Sequence, residues 1–508
     1  MINKKTLLLN VTPPTLRGLF PDNGLSLLAA CLNEKGIDSK ILDYCNLDNL
    51  SLFLSNNSNQ RLETLVQDLS RRIERDNITY VGSKLFQSGF SESIYVIQRI
   101  KELFGNKIVT IGGGPQVDYF WDLFDSEGLF YENKKGVFDA LVINEGEVTL
   151  PSLVKSERKN WKKIPNLIYK ENGRIIKTET KRIGNLDSLP FPSYNSNVYP
   201  AMAGNNKIKF INMRINWGCF YGNCKFCFHP IKSGEEFKEK SLGGAIKEIK
   251  HYIKECKTTA FRPGASAASS SINDFAKAVI ELELNIHYSM FGNIRLLNEY
   301  DFKLLKDSGC ISIFYGAESG NQKELDFYNK GITVKQTEEI VKATEDAGIH
   351  AMLSFIYLGN EKAGEDTLNL ILRSQPSAIS ILPLAIMPYT PFAKNLPPNI
   401  YLGEDYFEKF MKQRVNLTRP KNEWWDLNCK INGKDASQLI HESEAIERAV
   451  EEHGILCRTT DETFVLAHYA KTPAKYIRDL EGEFKPNGDY EKIRRTVIRM
   501  NQNMGMIK

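Results

Sequence analysis

Three cysteines, Cys219, Cys224 and Cys227, fall inside the stretch 216–228, which reads N-W-G-C-F-Y-G-N-C-K-F-C-F. Four residues separate the first pair and two separate the second. Gly218, Gly222 and Asn223 punctuate the stretch, which predicts a tight irregular loop rather than a helix or a strand. Thiolates on a backbone that can bend are able to converge on one metal centre. A closed structural site takes four protein ligands, whereas a centre that does chemistry keeps one position open, and three cysteines leave that position. His229, two residues beyond Cys227, is the rival fourth ligand for a Cys3His zinc site, but it lies very close in sequence for tetrahedral closure.

The segment that must hold this loop alternates between strand and helix patterns. Strands are expected over 209–212, 259–261, 286–291, 311–315, 351–357 and 379–385. Between them, Leu242, Ala245, Ile246, Ile249 and Ile253 share one helical face, and further helices are expected over 272–282, 300–306 and 368–372. Another helix is marked by a capping box of Thr333 with Gln336 and stopped by Gly348. Six such units over 206–395 predict a partial (β/α)6 TIM-type barrel, whose function sits at the carboxyl ends of its strands. The cysteine loop follows the first strand. Gly316-Ala317-Glu318-Ser319 follows the fourth.

Residues 1–155 alternate in the same way, with strands expected over 7–9, 41–42, 79–82, 108–111 and 138–143 and helices over 25–32, 62–73 and 91–104. This predicts an α/β, doubly wound, Rossmann-like parallel sheet that binds ligands at its carboxyl edge. Gly112, Gly113 and Gly114, before Pro115, end the fourth strand and would offer bare backbone to a large flat ligand. No G-x-G-x-x-G follows the first strand, which argues against a nicotinamide or flavin dinucleotide. Residues 156–205 read as a connector: a small hairpin turning at Asn172-Gly173, then Leu189-Pro190-Phe191-Pro192 in an extended path. Residues 396–508 read as a mainly helical substrate or lid domain, with Leu439, Ile440, Ile446, Ala449 and Val450 on one amphipathic helix and Thr459 with Glu462 capping another. Trp424-Trp425 reads as core or as a pocket wall, and His441, His453 and His468 show no ligand spacing.

Composition bounds the rest. The 508 residues carry 66 basic and 62 acidic side chains, a net charge of +4, which is too balanced for a nucleic-acid or membrane footprint. Only Leu7, Leu8 and Leu9 follow the two N-terminal lysines, so no secretory core is readable, and no apolar run approaches the roughly 18 residues of a membrane span. Nine cysteines in odd number, three of them clustered, fit a reducing cytoplasm and metal ligation better than disulfides. The scattered Cys31, Cys45, Cys256, Cys310, Cys429 and Cys457 read as small buried hydrophobes.

The central segment resembles a radical S-adenosylmethionine (SAM) domain. That resemblance implies a 4Fe–4S cluster on Cys219, Cys224 and Cys227, with SAM chelating the fourth iron. It also implies that Phe226 packs near the adenine and that Glu318, in the family's G-x-E-S, helps hold SAM. Asn329-Lys330-Gly331 with Thr333 is similar to the family's K-G-x-T, and Pro388-Tyr389-Thr390-Pro391 to its P-G-T-P. Arg295 and Ser354 are further candidates for the methionine carboxylate and the ribose. The usual cysteine spacing is three then two; here it is four then two, with Gly222-Asn223 placed to absorb the extra residue as a bulge. The stretch 261–266 lacks the acidic pair of many cobalamin-dependent relatives.

The N-terminal segment resembles the cobalamin-binding domain found ahead of radical SAM domains, through Pro13-Pro14, Gly24-Leu25, Gly82-Ser83, Gly112-Gly113-Gly114 and Glu145-Gly146-Glu147. The cobalamin contacts it implies are Pro14, Ser83, Gly112, Gly113, Gly114, Glu145 and Gly146. Residues 1–228 contain no histidine, so the D-x-H-x-x-G motif that ligates cobalt through imidazole is absent.

The resemblance implies cobalamin-dependent C-methylation of an unactivated carbon in a natural-product or peptide substrate, with an electron donor such as flavodoxin or ferredoxin. The rivals are radical rearrangement, cyclisation or oxidation without methyl transfer, and a non-enzymatic zinc or iron–sulfur protein. A methylthiotransferase acting on transfer RNA is disfavoured by the balanced charge and by the lack of a second cysteine cluster.

Overall fold

The computed structural model describes residues 4–12, 20–46, 49, 58–132, 134–204, 208–234, 236–264, 266–412, 427–484, 487 and 489–504. The chain divides into two compact units, residues 1–207 with 407–414 and residues 208–406 with 415–508.

The first unit opens with β1 (Lys5–Asn10), α1 (Asn23–Glu34), β2 (Asp38–Asp43), α2 (Ser58–Asp76), β3 (Tyr80–Lys84), α3 (Phe90–Phe104), β4 (Val109–Gly113), β5 (Ala140–Val142) and α4 (Gly146–Lys155). The strands pair in parallel in the order β2-β1-β3-β4-β5. Leu7, Leu8 and Leu9 are all buried because helices cover both faces of a parallel sheet. Asp22 caps α1, its side chain accepting the Leu25 N–H at 2.9 Å, and Gly36 turns the chain away at φ +68°.

The hairpin β6 (Leu167–Glu171) and β7 (Arg174–Lys177) turns at Asn172 and Gly173, both at positive φ, as the Asn-Gly signal requires. It does not stand apart as a connector. β6 pairs antiparallel with β5 and extends the sheet to seven strands.

The second unit starts with β8 (Phe210–Met213), then β9 (Asn216–Trp217) and β10 (Lys238–Glu239), which pair antiparallel and staple the base of the cysteine loop. α5 (Leu242–Cys256), β11 (Ala260–Pro263), α6 (Ile272–Glu281), β12 (His287–Gly292), α7 (Phe302–Asp307) and β13 (Cys310–Glu318) follow. Next come α8 (Gln322–Phe327), α9 (Val334–Asp346), β14 (His350–Tyr357), α10 (Glu361–Ser374), β15 (Ala378–Pro383) and α11 (Pro391–Lys394). The Thr333–Gln336 capping box forms at the start of α9. The six expected strands pair in parallel, and a short seventh, β19 (Leu456–Cys457), joins them next to β15.

The last stretch is less purely helical than its composition indicates. It contains a three-stranded antiparallel sheet of β16 (Ile400–Leu402), β17 (Cys429–Ile431) and β18 (Lys434–Asp435), followed by α12 (Ala436–Glu451), β19 (Leu456–Cys457) and α13 (Glu462–Tyr469). Part of it reaches the carboxyl ends of the barrel strands: Asn432 Nδ2 donates to the Leu358 carbonyl just past β14 at 2.8 Å, and the Ile386 N–H past β15 donates to Tyr406 Oη at 3.1 Å. Residues 415–508 share the barrel's compact unit, and α13 packs at the amino-terminal ends of the strands. Phe464 stacks on His350 with ring centroids 4.4 Å apart, and His468 meets His287 at 4.4 Å. Both histidines are the first residues of their strands.

The expected Thr459–Glu462 cap is not formed. Thr459 bonds Thr463 through the hydroxyls at 2.6 Å, and Glu462 turns to pair with Arg262 inside the barrel. Asp461 takes the same guanidinium in two contacts, at 2.7 and 3.0 Å, so the barrel floor is closed by one buried cation between two carboxylates. Trp424 and Trp425 lie outside the described residues.

Candidate metal centre

The cysteine loop leaves the carboxyl end of β8 and is held from several sides. Gly218 sits at φ +97°, with the Glu236 carbonyl where a Cβ would lie, so no other residue fits there without moving backbone. Buried Asn216 accepts from both the Ser266 N–H, at 3.1 Å, and the Ser266 hydroxyl, at 3.0 Å, tying the loop's base to the segment after β11. Gly222 adopts φ +65°, and the carbonyl of exposed Asn223 accepts from Asn329 Nδ2 at 3.0 Å. The longer first spacing is thus taken up by a left-handed glycine and an outward residue with a fixed partner.

The segment after α8 buttresses the loop from behind. Tyr221 Oη donates to the Asn329 carbonyl at 2.8 Å, and the Lys225 N–H donates to the Tyr328 carbonyl at 2.9 Å. The Phe226 ring meets Tyr328 edge-on at 5.5 Å, and the Phe392 N–H from α11 donates to the Lys225 carbonyl at 3.1 Å. Tyr389 occupies the glycine position of P-G-T-P at φ +64°, and Thr390 caps α11.

All three thiols are half-buried and unbridged. Burial pushes the Cys224 thiol up to about 12, partly countered by the Lys330 ammonium, and burial raises Cys227 as well. A thiol held so reluctant to ionise as a free group is one that a bound metal cation must deprotonate. Glu318 stands behind at a bulge in β13, in a left-handed conformation at φ +65°. It accepts from Lys330 Nζ at 2.7 Å. Burial pulls the Lys330 pKa down, but Glu318 and the thiols carry it above its ordinary value. Lys330 therefore stays charged beside the cysteines and offsets part of the charge that thiolates would bring.

Among the described residues, no three His, Cys, Asp or Glu side chains stand close enough to hold a single metal ion. His229 instead packs edge-on against Trp217 at 6.0 Å, while its N–H donates to Cys227 Sγ at 3.4 Å. Three half-buried thiols backed by a charged lysine are the donor types that a 4Fe–4S cluster with one open iron takes.

Of the further residues expected at SAM, Ser354 is half-buried in β14 beside Gly316 and Ser380 in register. Arg295 does something else. Its guanidinium lies over the Tyr221 ring at 4.2 Å and donates to the Gly331 carbonyl at 2.7 Å, so it props the cysteine loop. Gly331, at φ +68°, leaves no room there, since a Cβ would run into Arg295 and Tyr221. Gly331→Ala is expected to cost about 1–2 kcal/mol from the backbone alone and to lower iron bound per chain after anaerobic reconstitution, as read by iron assay.

At the carboxyl edge of the first unit's sheet, the expected cobalamin contacts divide. Ser83 ends in a buried hydroxyl with no partner among the described residues, and Gly113 and Gly114 present half-exposed backbone. Gly112 is glycine for packing reasons, because a Cβ there would meet Leu141 at 2.8 Å and Leu85 at 3.2 Å. Glu145 is committed to the Ile183 N–H, and Gly146 lies against Leu28. These three serve the unit's own packing. Pro14 lies outside the described residues.

Sequence reasoning missed a polar network on the same edge. Asn10, Asp43 and Lys84 are the last residues of β1, β2 and β3. Lys84 pairs with Asp22, and Tyr199 donates to Asp43 while accepting the Asp22 N–H at 3.0 Å. The signal was available: three buried strands in succession each end on a polar residue.

Burial, and then the Asp22 charge, raise Asp43 to about 6. An acid raised on folding adds stability that is complete below its unfolded value and lost as pH rises through about 6. The stability of the native chain minus that of Asp43→Asn should therefore fall between pH 4 and pH 7, roughly the window set by those two values, in urea unfolding series.

Residues 215–372 match the radical SAM superfamily. An uncharacterized methyltransferase of Pyrococcus horikoshii is 27% identical over 366 residues, covering 69% of this chain and 73% of that protein. Among solved structures, the radical SAM methyltransferase TsrM from Kitasatospora setae, with cobalamin and a [4Fe-4S] cluster bound, superposes with a TM-score of 0.67 at 15% identity, over 98% of this chain and 99% of that one. The cobalamin-dependent SAM radical enzyme OxsB with aqua-cobalamin bound gives 0.62 at 13% identity, over 99% and 80%. At these identities the likeness to both structures is one of fold. The chain is an enzyme with a radical SAM domain over these residues, and that superfamily uses SAM and a 4Fe–4S cluster. No helix among the described residues is long and apolar enough to cross a membrane.

Proposed function

We propose that the chain is a cobalamin-dependent radical SAM methyltransferase acting on an unactivated carbon of a small-molecule or peptide natural product. The observation that carries the reading is the cysteine loop itself: three half-buried thiols at a barrel strand's carboxyl end, backed by the Glu318–Lys330 pair. The methyltransferase name of the Pyrococcus relative, and the cobalamin and cluster bound to TsrM, support the remainder.

When bound, these cofactors supply a 5′-deoxyadenosyl radical to take the substrate hydrogen and a methyl group to replace it. This chain's residues bind and orient them. Cys219, Cys224 and Cys227 would hold three irons, Lys330 would temper their charge, and Glu318, steered by Lys330, would receive the SAM amine. Phe226, fixed by Tyr328, would offer its ring to the adenine, and Ser354 a hydroxyl to the ribose. In the first unit, the Ser83 hydroxyl and the bare backbone of Gly113 and Gly114 would meet the corrin.

The test is anaerobic reconstitution with SAM and methylcobalamin, read by mass spectrometry of extracts. Release of 5′-deoxyadenosine with retained cobalamin and a methylated product is expected. Release of 5′-deoxyadenosine with a product that gains no methyl would favour rearrangement, cyclisation or oxidation, and neither 5′-deoxyadenosine nor retained cobalamin would sink the reading.

A further inference from the structure

Residues paired in register on parallel strands share one face of the sheet, so a single contact fixes the direction of its neighbours. Arg262 reaches Asp461 and Glu462 at the barrel floor, and Asn212 on β8 is its partner in register. The Phe291 ring lies 4.5 Å from the Arg262 guanidinium and meets the Phe314 ring edge-on at 5.6 Å. Phe291 and Phe314 are themselves partners in register, and Phe314 packs on Met352, Ala378 and Phe464. Asn212, Phe291 and Phe314 therefore line the barrel interior. Their chain neighbours Ile211, Met213, Met290, Ile313 and Tyr315 point outward and are buried, Tyr315 bonding Thr344 of α9 at 2.9 Å. The three inward residues are only half-buried. A barrel that is purely a scaffold fills its interior with packed layers of side chains; this one leaves part of that surface open.

The open surface carries no spare charge. Over β8 and β11 to β15, Arg262 is the one arginine or lysine and Glu318 the one carboxylate. Arg262 is spent on the two floor carboxylates, and Glu318 on Lys330. One polar atom is left over: Asn212 Oδ1 is buried and has no hydrogen-bond partner among the described residues. A buried acceptor without a donor carries a desolvation penalty that a ligand N–H or O–H would remove.

We propose that this interior receives an uncharged aromatic ring of the substrate, laid against Phe291 and Phe314, with an N–H or O–H on that ring donating to Asn212 Oδ1. The inference rests on the methyltransferase reading of the same barrel and narrows its substrate class. Two phenyl rings set edge-on present both a face and an edge, which suits a third aromatic ring. A carboxylate or phosphate there would give up its hydration and find no free cation in exchange. A ring without a donor would leave Asn212 unpaired, and a site built to bond an N–H or O–H discriminates against such an analogue.

The test uses the full chain, anaerobically reconstituted with cluster, SAM and methylcobalamin, and probes built on one ring system. Naphthol is neutral and carries an O–H, naphthalene has no donor, and naphthoate carries a charge. Affinities are measured by equilibrium dialysis. The native chain should bind naphthol roughly tenfold more tightly than naphthalene, the size of one hydrogen bond to a buried acceptor, and naphthoate more weakly than either. Asn212→Leu should abolish the preference for naphthol while naphthalene affinity holds, which shows the ring site intact. Asn212→Ala, which removes the same carbonyl without adding bulk, is read in parallel. Naphthoate binding as tightly as naphthol, a preference for naphthol that survives both substitutions, or failure of all the probes to bind would overturn the proposal. Absence of 5′-deoxyadenosine when the native chain is given SAM and dithionite would strike at the radical SAM reading instead, and so separates the two failures.

Discussion

Cys224→Ala is expected to reduce SAM cleavage to the uncatalysed background while leaving the unfolding transition of the chain almost where it was. The thiol is half-buried and joins no disulfide. The loop is held by backbone bonds that do not involve it: Lys225 to Tyr328, Phe392 to Lys225, and Tyr221 to Asn329. Removing one of three cluster ligands, by contrast, leaves too few to retain a 4Fe–4S cube with an open iron. The two readouts discriminate sharply. In a structural zinc site the metal's binding energy is folding energy, so losing a ligand would unfold the domain. Iron content, labile sulfide and 5′-deoxyadenosine should therefore fall together while the urea midpoint holds. A collapse of the midpoint with sulfide absent from the native chain would favour zinc.

Arg262→Ala should have the largest effect on stability. The guanidinium is buried between Asp461 and Glu462, lies 4.5 Å from the Phe291 ring, and links β11 to the segment that begins α13. Removing one partner of a buried pair costs about 3–5 kcal/mol, because the charge left behind cannot be solvated. Here two carboxylates are left. Burial already raises Asp461 to about 6 even with Arg262 in place. In the variant, Asp461 should take up a proton on folding, so stability should recover as the pH is lowered through about 6. Urea unfolding of native chain and variant at neutral and mildly acid pH checks both the size and the direction. A loss below about 1 kcal/mol, the scale of an exposed ion pair, would mean that the barrel floor is not closed by this contact.

The fold was legible where local pattern and burial agree. Leu7, Leu8 and Leu9 announce a strand covered on both faces, Asn172-Gly173 fixes a hairpin, and Thr333 with Gln336 caps α9 as its spacing requires. What local pattern cannot carry is a partner chosen from far away. Thr459 and Glu462 have capping-box spacing, yet Glu462 gains more from Arg262, some 200 residues earlier, than from a backbone N–H. The hairpin over β6 and β7 reads as free-standing because nothing in it names β5 as its neighbour. The seventh strand, β19, is two residues long and too short for any periodicity.

The site divides along the same line. Cys219, Cys224, Cys227 and Glu318 stand out in the sequence because the proposed chemistry needs those types at those spacings. Arg295 is harder to read, because a guanidinium after a strand suits a ligand carboxylate as well as the Tyr221 ring and the Gly331 carbonyl that it meets here. Glu145 is ambiguous for a similar reason: a carboxylate at the sheet's carboxyl edge can serve a ligand, and here it accepts from the backbone N–H of Ile183.

The account stands most directly on one measurement: electron paramagnetic resonance of the anaerobically reconstituted chain after one-electron reduction, recorded with and without SAM. A reduced 4Fe–4S signal whose shape changes when SAM is added, and which is missing in Cys224→Ala, is the predicted result. A chain that takes up one zinc and no sulfide, or a cluster signal indifferent to SAM, would contradict it.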